Sequence, residues 1–79
     1  MEYQVRVSLI DEEYGLMGVE DIEIEADNLQ EAADILNEKI DRMEADGYDC
    51  VLVDDIYDEE GNEIEFYVSA TSRKYVLKW

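Results

Sequence analysis

Carboxylates are the most concentrated reactive side chains in this sequence. The densest group surrounds a Gly-Asn pair and comprises Asp54, Asp55, Asp58, Glu59, Glu60, Asn62 and Glu63. Oxygen ligands of this kind suit hard cations such as Ca²⁺. An EF-hand loop, however, needs Gly at its sixth position, and counting from Asp58 places Gly61 at the fourth. We therefore expect a solvated hairpin that binds cations weakly at most, with no functional metal site and no cofactor.

Catalytic chemistry has little support in these residues. Paired carboxylates do acid–base work when burial raises the pKa of one of them, but no pair here differs from the other acids. The chain has one Cys and no His, so Cys50 has no imidazole to activate it, and zinc sites and His-based triads are excluded within this chain. Cys50 lies in the apolar run CVLV, which is typical of a small core residue. We expect the protein not to be an enzyme.

The charge of the chain is its most unusual property. Its 79 residues hold 23 acidic and 6 basic side chains, for a formal net charge of −17. Residues 1–72 carry −20, and residues 73–79 carry +3 from Arg73, Lys74 and Lys78. This charge opposes direct binding to nucleic acid. A hydrophobic share of 47% with six Tyr excludes a disordered acidic tail, and the length indicates a single domain, 1–79.

The first half of the chain predicts two strands and a helix. Residues 2–10 and 19–26 alternate apolar and polar side chains, which is typical of half-buried strands. The Gly-containing stretch 11–18 predicts a loop or a wide hairpin connection between them. Asn28, with Glu31 three residues on, predicts a helix start. An apolar stripe then follows, formed by Leu29, Ala32, Ala33, Leu36, Ile40 and Met43. Gly47 is suited to end this helix, which we place at 29–45.

The second half predicts more strands. Residues 50–57 and 63–70 form a predicted hairpin around the turn 58–63, with Val51, Val53 and Tyr57 on one face and Leu52 and Ile56 on the other. Residues 74–79 predict a last strand, or else a basic arm that docks on a partner; lysines here also suit an edge strand. The order ββαββ(β) predicts an α+β fold, an antiparallel sheet with one helix packed on one face. The other face is partly apolar, which fits a homodimer, a partner surface or ordinary exposure.

The acids form rows that predict a partner-binding surface. Glu31, Asp34, Glu38 and Asp41 share the outer side of the helix, about 4.5–6 Å apart along its axis, and we expect Glu23 and Glu25 beside them. A second candidate patch comprises Asp54, Asp55, Asp58, Glu59 and Glu60. Carboxylates at such intervals can occupy a groove built for phosphates, because Arg and Lys bind both groups. Tyr14 and Met17 in the predicted loop are candidate apolar anchors.

In size, charge and lack of catalytic residues the chain resembles small acidic inhibitors of phages and plasmids, including anti-CRISPR and anti-restriction proteins. The segment IEIEADNLQEAADIL (22–36) also resembles the strand-to-helix connection of many small phage and plasmid proteins. The resemblance implies a stoichiometric inhibitor that binds a basic nucleic-acid-binding host protein, such as a CRISPR effector or restriction enzyme. No apolar run approaches 18 residues and no signal-peptide pattern follows Met1, so we expect the host cytoplasm and no membrane contact.

Two other interpretations remain open. Proteins that work in molar salt carry excess acid and little lysine, and this chain has three Lys; the charge would then reflect the solvent. Alternatively, the chain is a structural or regulatory accessory protein of a phage or plasmid, which acts through protein–protein contacts.

Overall fold

Five strands and one helix make up the fold. The computed structural model describes residues 1–78, and its elements are β1 (Glu2–Asp11), β2 (Gly15–Glu25), α1 (Leu29–Ala45), β3 (Cys50–Asp58), β4 (Glu65–Val68) and β5 (Tyr75–Lys78). The predicted α+β class and ββαββ(β) order are confirmed. The strands form two antiparallel sheets, ordered β2-β1-β3 and β4-β5. The predicted strand 74–79 is present as β5, and its last residue, Trp79, lies outside the described residues.

The central strand β1 supplies more buried side chains to the inner face of the three-stranded sheet than β2, and as many as β3. Its buried side chains are Tyr3, Val5, Val7 and Leu9, and the residues between them point to the opposite, open face. The predicted alternation is therefore confirmed. Each buried side chain of this kind contributes about 1.5–3 kcal/mol relative to an exposed one, so this row is a large share of what stabilises so small a domain.

Helix α1 covers the inner face with the predicted stripe. Asn28 begins the helix, since its side-chain oxygen accepts a hydrogen bond from the backbone N–H of Glu31 at 2.8 Å. Its buried residues are Ala32, Ala33, Leu36 and Ile40. Gly47 follows the C-cap residue Asp46 with φ +124°, a backbone conformation that favours glycine. The predicted helix 29–45 is thus confirmed. Within residues 1–78, no helix is long and apolar enough to cross a membrane.

The stretch 11–18 is a hairpin connection, as one of the two predictions had it, but a narrow one, because most of its residues belong to β1 and β2. β1 and β2 continue to a short turn, where the side chain of Asp11 accepts hydrogen bonds from the backbone N–H groups of Glu13 and Tyr14. Such Asx turns compact a connection that acidic residues and glycines would otherwise leave open. Gly15, at φ +81°, begins β2. The pairing shifts by one residue between Leu9 and Ile10, which leaves Met17 as an extra residue on β2.

A second register shift corrects the predicted faces of β3. Val7 pairs with Val53 and Arg6 pairs with Asp55, so Asp54 is an extra residue on β3. A bulge of this kind reverses which side chains point inward from that point on. Ile56, predicted to share a face with Leu52, is therefore fully buried, whereas Tyr57 is 39% exposed.

The predicted hairpin of 50–57 and 63–70 forms only at its turn. The N–H of Ile64 donates to the carbonyl of Ile56 at 2.8 Å, and a single bridge joins Tyr57 to Glu63. The chain then leaves β3, and β4 pairs with β5 instead. The reason is that Ile64 is buried in the core, while Phe66 and Tyr75 of the second sheet pack together, with ring centroids 5.9 Å apart, against the same core.

Asn37 of α1 fixes β5 in place. Its side-chain oxygen accepts the N–H of Tyr75 at 2.8 Å, and its amide nitrogen donates to the carbonyl of Tyr75 at 3.0 Å. The Tyr75 hydroxyl in turn accepts the N–H of Val53 on β3 at 3.1 Å. These bonds join the helix, the second sheet and the edge of the first sheet, and they show that residues 75–78 are a docked strand.

We predict that Asn37→Ala destabilises the protein by about 1–3 kcal/mol, because it leaves two backbone groups of Tyr75 without partners. Urea unfolding followed by circular dichroism measures the change. Gln30→Ala is the matched control, because Gln30 is an exposed amide of the same helix that bonds only to Asp34, and it should stay within about 0.5 kcal/mol of wild type. Equal stabilities for the two variants would show that β5 does not depend on Asn37.

Candidate partner-binding surfaces

The four acids of the predicted helix row all lie in solvent. We define the helix row as Glu31, Asp34, Glu38 and Asp41, and each is exposed. Glu31 lies in the first turn, where the partial positive charge of the helix N-terminus favours an acid. Glu38 forms an exposed ion pair with Arg42, and Asp34 accepts a hydrogen bond from Gln30. The row is therefore a line of carboxylates on one rigid element.

We had predicted that Glu23 and Glu25 lie beside the helix row. They lie instead on the opposite side of the molecule. They pair with Gln4 and Glu2, whose side chains point away from the core. Successive strand residues alternate between faces, so acids that flank the buried Ile24 must lie on the open face, and α1 covers the other one. The two sets of acids cannot form one continuous surface.

The open face of the three-stranded sheet instead joins Glu23 and Glu25 to part of the second predicted patch. Its acidic end comprises Glu2, Asp21, Glu23, Glu25, Asp54 and Asp55. Strands about 4.7–4.9 Å apart place these acids on a regular lattice. Sequence reasoning left out Asp21 and Glu2; period two already put Asp21 with Glu23, whereas Glu2 required the pairing register.

Arg6 lies in the middle of this acidic end. It pairs with Asp21 on one side, at 3.1 Å between the guanidinium and the carboxylate, and with Asp55 in register on the other. The hydrogen bond from Arg6 to Asp21 raises the pKa of Arg6 above its usual value, and the charge of Asp55 adds to this. Because the ion pair is exposed, it contributes little to stability. Asp54 accepts a hydrogen bond from the Ser8 hydroxyl.

The rest of the second patch divides. Glu59 and Glu60 are exposed in the turn after β3, and Glu59 lies with Glu2, Glu23 and Tyr57 along a cleft of 290 Å³. Asp58 differs from all these acids because it is 8% exposed. It pairs with the buried Tyr3 across the ladder. An acid in that position has a structural role in the turn, and we remove it from the partner-binding set.

Asp58 holds the turn 58–62 together. Its carboxylate accepts the backbone N–H groups of Glu60 and Asn62 at 2.9 and 2.8 Å and the Asn62 side-chain amide at 3.2 Å. Burial on its own would raise the pKa of Asp58, but these hydrogen bonds to its charged form outweigh it and lower the pKa below 3.8. Burial raises the pKa of the Tyr3 phenol, and the charges of Asp58 and Glu59 add to that rise.

The opposite end of the open face is apolar. It comprises Ile10, Leu16, Val19 and Leu52, of which Leu16 is 63% exposed. The predicted anchors adjoin it: Tyr14 in the turn and Met17 in β2 are both exposed. Cys50 pairs with Ile10 at this end and is half-buried, so it is not the core residue that the sequence predicted. Among residues 1–78, no group of three or more Cys, Asp or Glu side chains is arranged to hold a metal ion.

No protein-family model, curated protein or solved structure matches this chain.

We predict that Asp58→Asn destabilises the protein at neutral pH, because charge-assisted hydrogen bonds to the carboxylate are lost. The lowered pKa means that Asp58 stabilises the fold above its unfolded-state pKa of about 3.8 and loses that contribution as pH falls through its folded-state value. Urea unfolding of both proteins from pH 7 to pH 2.5 should show the stability gap closing below about pH 4. A gap independent of pH would contradict a charged Asp58.

Proposed function

We propose that this protein is a stoichiometric inhibitor of the anti-CRISPR or anti-restriction type. It imitates nucleic acid and occupies a basic groove of a host defence protein, such as a CRISPR effector or a restriction enzyme. The observation that supports the proposal is that basic side chains neutralise few of the acids. Of the 23 acids, one is buried and two are ion-paired within residues 1–78, which leaves 20 carboxylates that face solvent, fully or partly, without a cationic partner. Such a surface attracts cationic grooves over long range.

The helix row is the primary contact in this proposal. Its carboxylates follow one axis at intervals of about 4.5–6 Å, and the helix that carries them is fixed at its start and at its middle. Asn28 caps its start, and Asn37 joins its middle to β5. A fixed helix gains affinity because little backbone freedom is lost on binding. Arg side chains of a phosphate-binding groove suit carboxylates equally well, often through two parallel hydrogen bonds.

Affinity capture tests the proposal. The tagged protein should retain a nucleic-acid-binding protein from a nuclease-treated bacterial lysate at about 0.1 M salt and lose most of it at 0.5 M, because charge pairing weakens with salt. An added oligonucleotide should release the captured protein, since both ligands would share the groove. Failure of the oligonucleotide to release it would contradict mimicry.

Charge-reversed variants locate the contact. We predict that Lys at all four helix-row positions lowers capture of that target at least tenfold. The matched control reverses Glu2, Glu23, Glu25 and Glu59 on the other side of the molecule, which changes the net charge by the same amount and should leave capture within about twofold. Circular dichroism confirms that both variants fold. Equal loss in both would mean that total charge, and not the helix row, determines binding.

A melting series in KCl separates the halophile interpretation. An inhibitor that works in an ordinary cytoplasm should be folded at 0.1 M KCl, with a melting temperature that rises only modestly as salt screens the excess charge. A protein that is unfolded at 0.1 M KCl and folds only at molar concentrations would assign the acids to its solvent.

The apolar end of the open face favours a second candidate, a phage or plasmid accessory protein that acts through protein–protein contacts. Leu16, Val19 and Leu52 are all more than two-fifths exposed and lie together. In the same capture experiment, a protein with this function would retain a structural component of the phage or plasmid at both salt concentrations, since apolar contacts do not weaken with salt.

A further inference from the structure

The two edges of the three-stranded sheet differ in their hydrogen-bond partners. On β3, four main-chain groups have partners outside the three-stranded sheet. The N–H of Val53 donates to the Tyr75 hydroxyl, and the carbonyl of Ile56 accepts from Ile64. The N–H of Asp58 donates to the Asn62 carbonyl, and its carbonyl accepts from Gly61. On β2, the opposite edge, β1 is the sole pairing partner among residues 1–78. An uncovered edge strand is a template for another strand.

The ladder defines which groups this edge offers. The N–H of Ala26 donates to the carbonyl of Met1 at 2.9 Å, so these two residues form a hydrogen-bonded pair. In an antiparallel ladder such pairs alternate with pairs whose main-chain groups point outward. Ile24, Ile22 and Glu20 therefore bond to β1. The residues whose N–H and C=O groups point away from the sheet are Val19, Asp21, Glu23 and Glu25.

The same alternation fixes the side chains around the edge. The three acids Asp21, Glu23 and Glu25 lie on the open face, while Ile22 and Ile24 between them point to the core side, where Ile22 is half-buried. Arg6 is the one base paired with this stretch, and it contacts Asp21. A strand added here would place its residues directly opposite three carboxylates on one face and beside isoleucines on the other.

We propose that the β2 edge binds an extended segment of a partner protein whose sequence alternates Lys or Arg with apolar residues, by addition of a fourth strand. Cations opposite Asp21, Glu23 and Glu25 and apolar residues beside Ile22 satisfy both faces, and cross-strand pairs of opposite charge stabilise a sheet. A second copy of this chain is disfavoured there, because β2 pairing with itself over this stretch opposes like charges. The inference goes beyond the proposed function, since it uses the other side of the molecule and does not require a nucleic-acid-binding partner.

A synthetic peptide tests the proposal directly on the full chain. The probe is an end-capped peptide of about nine residues with Lys at alternate positions and Val or Thr between them. The control has the same composition with its Lys residues in one block, and we expect it to bind at least fivefold more weakly because it cannot oppose the three acids in register. Fluorescence anisotropy measures both affinities. Equal affinities would mean that charge alone attracts the probe and would overturn the proposal.

Amide exchange followed by NMR localises the contact. In the free protein the N–H groups of Asp21, Glu23 and Glu25 should exchange quickly, while those of Glu20, Ile22 and Ile24 are already protected by β1. The alternating peptide should slow the first set at least fivefold and change the second set little. Protection confined to other residues would place the peptide elsewhere. Protection of the same set in a dimer of the protein alone, detected by sedimentation, would assign the edge to a second copy and overturn the proposal.

Two substitutions at one position separate main-chain bonding from charge. Glu23→Pro removes an outward N–H that β1 does not use, a position where an edge strand tolerates proline, and also removes the charge. Glu23→Gln removes the charge alone. We expect a loss of affinity of about tenfold for proline and about twofold for glutamine. Equal losses in two folded variants would overturn strand addition; should Glu23→Pro fail to fold, the exchange pattern of the wild-type protein decides.

Discussion

The rest of this structure depends on the burial of the apolar side chains on the inner face of β1. A domain of this length buries only about 60% of the surface that its unfolded chain exposes, and its charge of −17 opposes compaction. The buried row of Tyr3, Val5, Val7 and Leu9 offsets both penalties, because strands flank it on both sides and α1 covers it. Every acid except Asp58 can then remain outside the core, and Asp58 enters it only because the backbone and side chain of its own turn donate to it.

Local patterns in the sequence predicted the elements well and their assembly less well. Alternation on β1 and the stripe between Leu29 and Met43 are properties of single segments, so the strand and the helix were placed correctly. The bulges at Met17 and Asp54 are properties of a pair of strands. They depend on how two chain segments share hydrogen bonds, and a one-residue insertion reverses every face beyond it. This is why Ile56 was assigned to the wrong side.

The candidate surfaces show the same division. The helix row was predicted correctly as exposed, because helical spacing alone defines it. Its relation to Glu23 and Glu25 was predicted wrongly, since only the packing of α1 on the sheet decides which side of the molecule a strand residue occupies. One local pattern in the sequence, the Asp-x-x-Gly-Asn spacing typical of a closed turn, indicated the structural role of Asp58. We interpreted Asp58 instead as one more acid in a charged segment. Charge density was visible from composition; its distribution over two opposite faces was not.

The unequal edges of the three-stranded sheet limit the size of any assembly built by strand pairing at this sheet. Filaments that grow by stacking strands need two compatible ends, so that each added molecule exposes a fresh site for the next. Here part of the β3 edge bonds to its own chain, through Asn62, Ile64 and Tyr75, whereas β2 has no partner beyond β1 among residues 1–78. A sheet with one accessible end terminates growth after a single addition. The three-stranded sheet is therefore a poor seed for fibres that grow by strand stacking.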